Sequence, residues 1–177
     1  ETLERKLMNM IDEKLNMTQE WDKVFPQSGK TDHRKVTSHN RYGITLAADL
    51  YAPKDAAGKL PAIAVSGPFG AVKERSSGLY AQRMAEYGFL TLAFDPSFTG
   101  ESGGQPRYGA SPDINIEDFC AAVDFLSVQD NADPARIGII GICGWGGMAI
   151  SRTGHPHQGH RSHDHVRYDP CQRQRLL

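Results

Sequence analysis

The sequence predicts an α/β fold with a mostly parallel sheet flanked by helices. Three short, almost wholly apolar runs, "LPAIAVSG", "FLTLAFD" and "IGIIGI", are typical of strands buried on both faces of a parallel sheet. Segments with helical spacing alternate with these runs, which favours parallel strands joined by right-handed crossovers. The length of 177 residues and the hydrophobic content of 39% suit one core within one ordinary domain.

The chain before the first apolar run is predicted to form a helix and then a hairpin. Residues 3–21 place apolar side chains near helical spacing, which indicates an amphipathic helix within an N-terminal extension that covers residues 1–32. Residues 33–40 and 44–53 resemble two strands that a tight turn joins. The main domain is therefore expected to span residues 33–150.

Two helices are predicted between the apolar runs. Ser76 or Ser77 can cap the first helix, and Gly88 is placed to end it in a left-handed conformation. Asp113 or Asn115 can cap the second helix, which leads towards the third apolar run. The alternation of strand and helix is then complete over the middle of the chain.

Charge and motifs exclude several classes of function. The net charge of −1 predicts no nucleic-acid partner and no anionic membrane partner. No apolar stretch approaches the roughly 20 residues that a membrane-spanning helix needs. The three cysteines lack the spacing of metal ligands, and no glycine-rich nucleotide motif follows the first apolar run. We therefore expect no cofactor.

The stretch "GICGWGG", from Gly141 to Gly147, has the layout of a nucleophile on a strand-to-helix turn. The positions two before and two after the central residue must be small, because strand and helix meet there. With Cys143 at the centre, the indole of Trp145 would collide with this contact. With Trp145 at the centre, the flanking residues are Cys143 and Gly147, so steric fit places Trp145 at the apex.

The chemistry of the two side chains favours the other residue. A thiolate is a strong nucleophile that can form an acyl-enzyme, whereas an indole cannot. Cys143 is therefore the candidate catalytic nucleophile, with a small buried filler as its alternative role. Trp145 is expected to be non-nucleophilic and either to pack beneath a pocket or to stack against a ligand.

Backbone donors for an oxyanion hole are predicted in two places. One donor belongs to the residue after the nucleophile, and the other to the loop after an earlier strand, here "SGPFGAVKE". Pro68 has no N–H, so the loop donor is Phe69 or Gly70. Its partner is Gly146 in the sterically favoured register and Gly144 in the other. The expected oxyanion hole therefore consists of Phe69 and Gly146.

Three segments together, "YAPKDAAGKLPAIAVSGPFGAVKE", "LTLAFDPSFTGESGG" and "ADPARIGIIGICGWGG", resemble the first half of an α/β-hydrolase. The resemblance is to the dienelactone-hydrolase-like or YcjY-like bacterial group and covers about residues 33–150. It implies an α/β-hydrolase-type sheet, truncated after the strand that leads to the turn at Gly141 to Gly147. This strand-to-helix turn is called the nucleophile elbow in that fold. It also implies acyl-transfer hydrolysis of a small-molecule ester, thioester, lactone or peptide-like substrate.

The resemblance bears on both candidate residues of the elbow. A common form of the turn in this group is G-I-C-G-S-G-G with the serine as nucleophile, which puts Trp145 at the serine position. Dienelactone hydrolases use a cysteine in a G-x-C-x-G-G turn, and this pattern supports Cys143. The family serine is absent here, so two functions stay open: acyl transfer through Cys143, or small-molecule binding without catalysis.

The sequence after Ile150 departs from the expected fold. An α/β-hydrolase requires an acid and a histidine from later strands, and neither can be identified in residues 151–177. We therefore expect an N-terminal portion that is inactive by itself, with an exposed sheet edge that permits self-association.

The histidine-rich tail itself allows three interpretations. Loose spacing within a segment rich in glycine and arginine fixes no metal geometry, so no metal site is expected from its five histidines, His155, His157, His160, His163 and His165. The low apolar content predicts a disordered tail. Translation from a shifted reading frame is the third interpretation.

Overall fold

The structure is a computed structural model that describes residues 14–18 and 20–153, with side chains up to residue 149. Strands and helices alternate along most of this part of the chain. In order they are β1 (Thr31–His39), β2 (Thr45–Pro53), β3 (Leu60–Ser66), α1 (Ser76–Glu86), β4 (Leu90–Phe94), α2 (Pro112–Ser127), β5 (Ala132–Gly141) and α3 (Trp145–Thr153). None of these helices has the length and apolar character required to cross a membrane.

The five strands form one mixed sheet in the order β1-β2-β4-β3-β5. Strand β2 runs antiparallel to both β1 and β4, whereas β3 runs parallel to both β4 and β5. The α/β class and the parallel pairing of the three apolar strands are confirmed. Among the described strands, β5 lies at one edge of the sheet and β1 at the other.

Helices cover both faces of the sheet, which explains why its central strands are apolar throughout. On one face Leu92 of β4 belongs to a cluster with Phe119 of α2 and Trp145 of α3. On the other face Ala93 packs in a cluster with Ala81 of α1. The alternation of neighbouring strand residues between the two faces produces two core layers.

The predicted hairpin is confirmed. Its register runs from the Thr31–Pro53 pair to the His39–Thr45 pair. The turn is held by Asn40, whose side-chain oxygen accepts hydrogen bonds at 3.0 Å from the N–H groups of two turn residues, Tyr42 and Ile44. Asparagine is favoured in turns because its short side chain can bond to the backbone in this way.

The helix starts differ from the predictions. Helix α1 begins at Ser76 without a side-chain cap, and neither Ser76 nor Ser77 acts as one. Helix α2 begins at Pro112, whose fixed φ suits the first turn, rather than after Asp113 or Asn115. The Asn115 side-chain oxygen instead accepts a hydrogen bond from the N–H of Ser111.

The elements near both ends of the predicted domain differ in extent from the sequence pattern. Residues 14–18 and 20–21 are not helical, and the rest of the predicted N-terminal helix lies outside the described residues. The segment before β1 packs on the domain instead, with Lys23 and Phe25 buried. Strand β5 begins five residues before the predicted start at Ile137, and α3 extends to Thr153, into the expected tail.

Candidate active site

A tight turn joins β5 to α3 and places Cys143 at its apex. Cys143 has a φ of 59°, in the left-handed region that residues with side chains rarely adopt. The turn is closed by a 3.2 Å hydrogen bond from the N–H of Trp145 to the carbonyl oxygen of Ile142. The Cys143 side chain is exposed. This is the strained, exposed geometry of a nucleophile elbow.

The structure corrects the placement of Trp145 at the apex. Trp145 is the first residue of α3 and is only 2% exposed. Its ring packs against Phe69 at 5.5 Å and against Phe119 at 5.8 Å between ring centroids. The expected collision does not occur because Gly67, at the end of β3, has no side chain. A Cβ built there would lie 2.9 Å from both Cβ and Cδ1 of Trp145.

The predicted oxyanion donor Gly146 is also corrected. Its N–H donates a 3.0 Å hydrogen bond to the carbonyl oxygen of Cys143, so it is occupied within the turn. With Cys143 at the apex, the residue that follows the apex, where the second oxyanion donor is predicted, is Gly144. No described residue accepts a hydrogen bond from the N–H of Gly144 or from that of Phe69. Two backbone donors are therefore free in the two segments that meet at the elbow.

Phe69 and Gly144 lie in direct contact. A Cβ built on Gly144 would be 2.5 Å from two carbons of the Phe69 ring. The N–H of Ile142 also donates to the carbonyl oxygen of Ser66 at 3.0 Å, which fixes the elbow against the end of β3. The loop after β3 and the elbow are therefore neighbours, as the oxyanion prediction requires.

A cavity of about 290 Å³ lies beside the elbow. Its walls come from the loop after β3, the loop after β4, the start of α2 and the Trp145 ring. None of its lining residues carries a charge. The cavity therefore suits an uncharged ligand of small size.

A buried ion cluster joins the two loops that form the cavity walls. The Lys73 side chain is fully buried, and its Nζ lies 3.0 Å from an oxygen of Asp95 and 2.6 Å from an oxygen of Glu101. The Asp95 carboxylate also accepts hydrogen bonds from the backbone N–H groups of Lys73, at 2.7 Å, and Glu101, at 2.9 Å. Asp95 therefore bridges the loop after β3 and the loop after β4.

Their surroundings shift the pKa values of Asp95 and Lys73. Burial raises the pKa of Asp95 to about 6, although Lys73 and the backbone donors oppose the shift. Burial works to lower the pKa of Lys73, but Asp95 and Glu101 outweigh it, so that the pKa lies above its usual range. Lys73 is therefore charged at neutral pH, and it neutralises part of the acidic cluster.

Three carboxylates at the edge of this cluster could in principle hold a cation. Oxygen atoms of Asp22, Glu74 and Glu101 lie within 4.8 Å of one another. The ammonium group of Lys35 lies 2.8 Å from both Asp22 and Glu101, and Lys73 contacts Glu74. Lysine side chains therefore already neutralise the group. Sequence patterns did not reveal this cluster, because its members come from distant segments without a common motif.

The described part of the chain brings no histidine to the elbow. Its two histidines, His33 and His39, lie on β1, at the opposite edge of the sheet from β5. The Nε2 atom of His33 lies 2.8 Å from a carboxylate oxygen of Asp49. The five histidines of the tail lie outside the described residues.

Comparison with known proteins identifies a family and several relatives of this chain. The model of the X-Pro dipeptidyl-peptidase family S15 matches residues 42–161. The uncharacterized protein PA2218 of Pseudomonas aeruginosa is 72% identical over 138 residues, which are 77% of this chain and 37% of that protein. The uncharacterized protein YcjY of Escherichia coli is 43% identical, over 65% of this chain and 38% of YcjY. This chain thus spans less than two fifths of the length of either relative.

Further matches are a relative whose name states an activity and two solved structures. Thiohydrolase aneE of Aspergillus aculeatus is 40% identical over 51% of this chain and 28% of its own length. The crystal structure of PA2218 superposes with a TM-score of 0.76 over 77% of this chain and 43% of that chain. A dienelactone hydrolase-like phosphotriesterase, P91, shares the fold at 19% identity, with a TM-score of 0.55 over 71% of this chain and 54% of P91. The resemblance that the three sequence segments indicated is confirmed.

Proposed function

The chain belongs to the X-Pro dipeptidyl-peptidase family S15 and has the α/β-hydrolase fold, and on this premise we propose that Cys143 is an acyl-accepting nucleophile. The observation that carries the proposal is the left-handed backbone of Cys143 at an exposed strand-to-helix turn. Backbone strain of this kind costs about 1–3 kcal/mol and persists mainly at functional sites. A side chain that only filled space would not require this strained backbone.

The proposed step is transfer of an acyl group to the Cys143 sulfur. The thiolate attacks the carbonyl carbon and forms a carbon–sulfur bond, while the carbonyl oxygen gains negative charge. The free N–H groups of Gly144 and Phe69 then donate to this oxyanion. Collapse of the intermediate breaks the bond to the leaving group, which departs as an alkoxide or thiolate and takes a proton from water.

Esters and thioesters of small acyl groups are the proposed substrate class. The cavity beside the elbow has no charged lining residue, which suits an uncharged acyl chain. The activity in the printed name of thiohydrolase aneE supports thioesters in particular. The leaving groups of esters and thioesters are also displaced by a thiolate more readily than an amide nitrogen.

We further propose that the reaction of this chain stops at the acyl-enzyme. Release of the acyl group requires a general base that activates water, and a histidine is the usual base in such sites. Both described histidines lie at the far edge of the sheet. The described residues therefore supply no histidine base at the elbow, and on their account we expect acylation without sustained turnover.

A burst experiment tests the proposal. The chain is mixed with p-nitrophenyl acetate, and we expect release of up to one equivalent of p-nitrophenolate, followed by a rate close to that of the buffer. Cys143→Ala should remove the burst, whereas Cys120→Ala, which changes a buried cysteine of α2, should retain it. A burst that survives in Cys143→Ala, or no burst in the unchanged chain, would refute the nucleophile. Sustained turnover would refute the arrest at the acyl-enzyme.

Ligand binding without covalent chemistry is the second candidate function. The cavity lined by Trp145 favours it, because a preformed pocket can bind a ligand whether or not a nucleophile acts on it. Saturable binding of acyl compounds by a chain that shows no burst would support this function over the first.

A further inference from the structure

A buried carboxylate on α2, that of Asp118, accepts hydrogen bonds from uncharged groups on both of its oxygens. The Asp118 side chain is fully buried. One oxygen accepts from the Ser97 hydroxyl at 2.7 Å and from the Asn40 amide nitrogen at 2.9 Å. The other accepts from the Ser97 backbone N–H at 2.9 Å and from the Asn115 amide nitrogen at 3.0 Å. These hydrogen bonds offset the cost of burying the carboxylate.

The network of these four residues joins three segments that are distant in sequence. Asn40 lies in the hairpin turn after β1, and Ser97 lies in the loop after β4, whereas Asn115 and Asp118 belong to α2. The Asn40 amide also donates to the Ser97 hydroxyl oxygen at 3.1 Å. All four residues are buried. A satisfied polar network in the interior rigidifies the segments that it joins.

The network fixes the loop after β4 next to a strained residue. Phe98 follows Ser97 and has a φ of 72°, which residues with side chains rarely adopt. Its carbonyl oxygen accepts a 2.8 Å hydrogen bond from the N–H of Tyr108, whose φ is 61°. Backbone strain of this kind persists only where the surroundings fix the chain. Asp118 contributes to this, because it accepts from both the N–H and the hydroxyl of Ser97.

The same loop and the start of α2 form the cavity wall beyond the elbow. Pro96 and Thr99, on either side of the fixed segment, line the cavity, and so do Tyr108 and Asn115. On the elbow side the wall includes Phe69. An acyl chain that extends from the elbow past Phe69 therefore lies along the wall that the network holds, and a longer chain contacts more of it.

We propose that Asp118 is a positioning residue of the acyl site: it holds the loop after β4 in the shape of the cavity wall, and so sets a preference for longer, uncharged acyl chains. The inference rests on the proposed function only in taking the cavity as the acyl site. Asp118 is not itself a lining residue and acts through Ser97 and Asn115. When the network is broken, the strained loop relaxes and its contacts with the far part of the acyl chain are lost.

Equilibrium binding of two unreactive amides tests the inference without any covalent step. N-ethylhexanamide and N-ethylpropanamide are titrated into the Cys143→Ala chain. We expect the hexanamide to bind at least about tenfold more tightly, since each buried methylene strengthens binding about fourfold. Adding Asp118→Asn should reduce this preference to about threefold or less, because its amide N–H then opposes the donor of Asn40.

A compensating change distinguishes positioning from general damage. With Asn40→Asp added to Asp118→Asn, the new carboxylate accepts from the new amide and from the Ser97 hydroxyl. The carboxylate also keeps an acceptor for the turn N–H groups that Asn40 now binds. All the hydrogen bonds of the network are then restored with the charge moved, so the preference for the hexanamide should return.

Thr91→Val is the matched control for lost stability. It removes a buried 2.8 Å hydrogen bond to the carbonyl oxygen of Ala81, on the other face of the sheet, and should leave the preference unchanged. If Asp118→Asn does not fold, Ser97→Ala removes one hydroxyl from the network and should lower the preference in its place.

Several results would overturn the inference. These are equal binding of the two amides by the Cys143→Ala chain, binding of neither, a preference that survives when the network is broken, a compensated chain that does not regain it, and an equal loss in Thr91→Val. Because no acylation is involved, the preference is measurable even if Cys143 proves unreactive. Failure of the burst and failure of this inference are therefore distinguishable.

Discussion

Gly67 and Trp145 compete for one volume, and only the missing side chain of Gly67 leaves room for the indole. A Cβ on Gly67 would lie 2.9 Å from the Cβ of Trp145 and 2.4 Å from the carbonyl oxygen of Ile142. Gly67 also has a φ of 105°, which side-chain-bearing residues avoid. The end of β3 is therefore shaped to accept a large residue two positions after the apex.

Gly67→Ala is expected to destabilise the protein severely. The clash involves backbone and the base of a buried side chain, so we expect a loss of about 3 kcal/mol or more in the free energy of unfolding. Gly43→Ala is the matched control, because Gly43 also has a positive φ, 77°, but nothing lies within 4 Å of a built Cβ. It should cost about 1–2 kcal/mol. If urea unfolding showed the same loss of free energy for both variants, Gly67 and Trp145 would not compete for the same space.

Removal of Lys73 should destabilise the protein because it leaves Asp95 buried without a cation. For Lys73→Met we expect a loss of about 3–5 kcal/mol. Arg83→Met removes an exposed partner of Glu86 on α1 and should leave the stability almost unchanged. Chemical unfolding of both variants gives the comparison.

A second change tests whether this loss comes from Asp95. Adding Asp95→Asn to Lys73→Met should recover part of the stability, since the unpaired charge is gone. The coupling between the two positions should be about 1–3 kcal/mol in a double-mutant cycle. Strict additivity of the two losses would argue against Asp95 as the main partner.

The stability of the protein should fall in acid partly through Asp22. Burial favours a higher pKa, but hydrogen bonds from Lys23 and Lys35 outweigh it and lower the pKa of Asp22 to about 2. A carboxyl whose folded pKa is lowered stabilises the fold above its unfolded pKa, near 3.9, and loses that contribution as the pH falls towards 2. After allowance for solvent screening, the contribution is on the order of 1 kcal/mol.

Unfolding experiments between pH 5 and pH 2 measure this contribution. The difference in stability between the unchanged protein and Asp22→Asn should narrow as the pH decreases through this window. A difference that remains constant throughout would show that Asp22 does not titrate with a lowered pKa in the folded state.

The free edge of β5 is predicted to promote self-association. Among the described strands, β5 pairs only with β3, and an unpaired strand edge can bind another edge. We expect the mass measured by light scattering to rise with protein concentration. Gly138→Lys places a positive charge at an exposed position of β5 and should weaken the association. Gly29→Lys places the same charge before β1, away from this edge, and should leave the association unchanged. A monomer at every concentration would contradict this prediction.

The sequence alone predicted the strands well and the elbow only in part. The hairpin and the three apolar strands follow from local patterns, which the chain carries within a few residues. The register of the elbow depends on the space that Gly67 leaves beside Trp145, and these residues are far apart in sequence. The Lys73 cluster was missed for the same reason, since its charges meet only when the loops after β3 and β4 are folded together.

A crystal structure of the chain acylated at Cys143 would show the nucleophile and its oxyanion donors together. We expect an acyl group on the sulfur of Cys143, with its carbonyl oxygen about 2.7–3.1 Å from the backbone nitrogens of Gly144 and Phe69. An acyl group on a different residue, or a carbonyl oxygen distant from both nitrogens, would contradict this expectation.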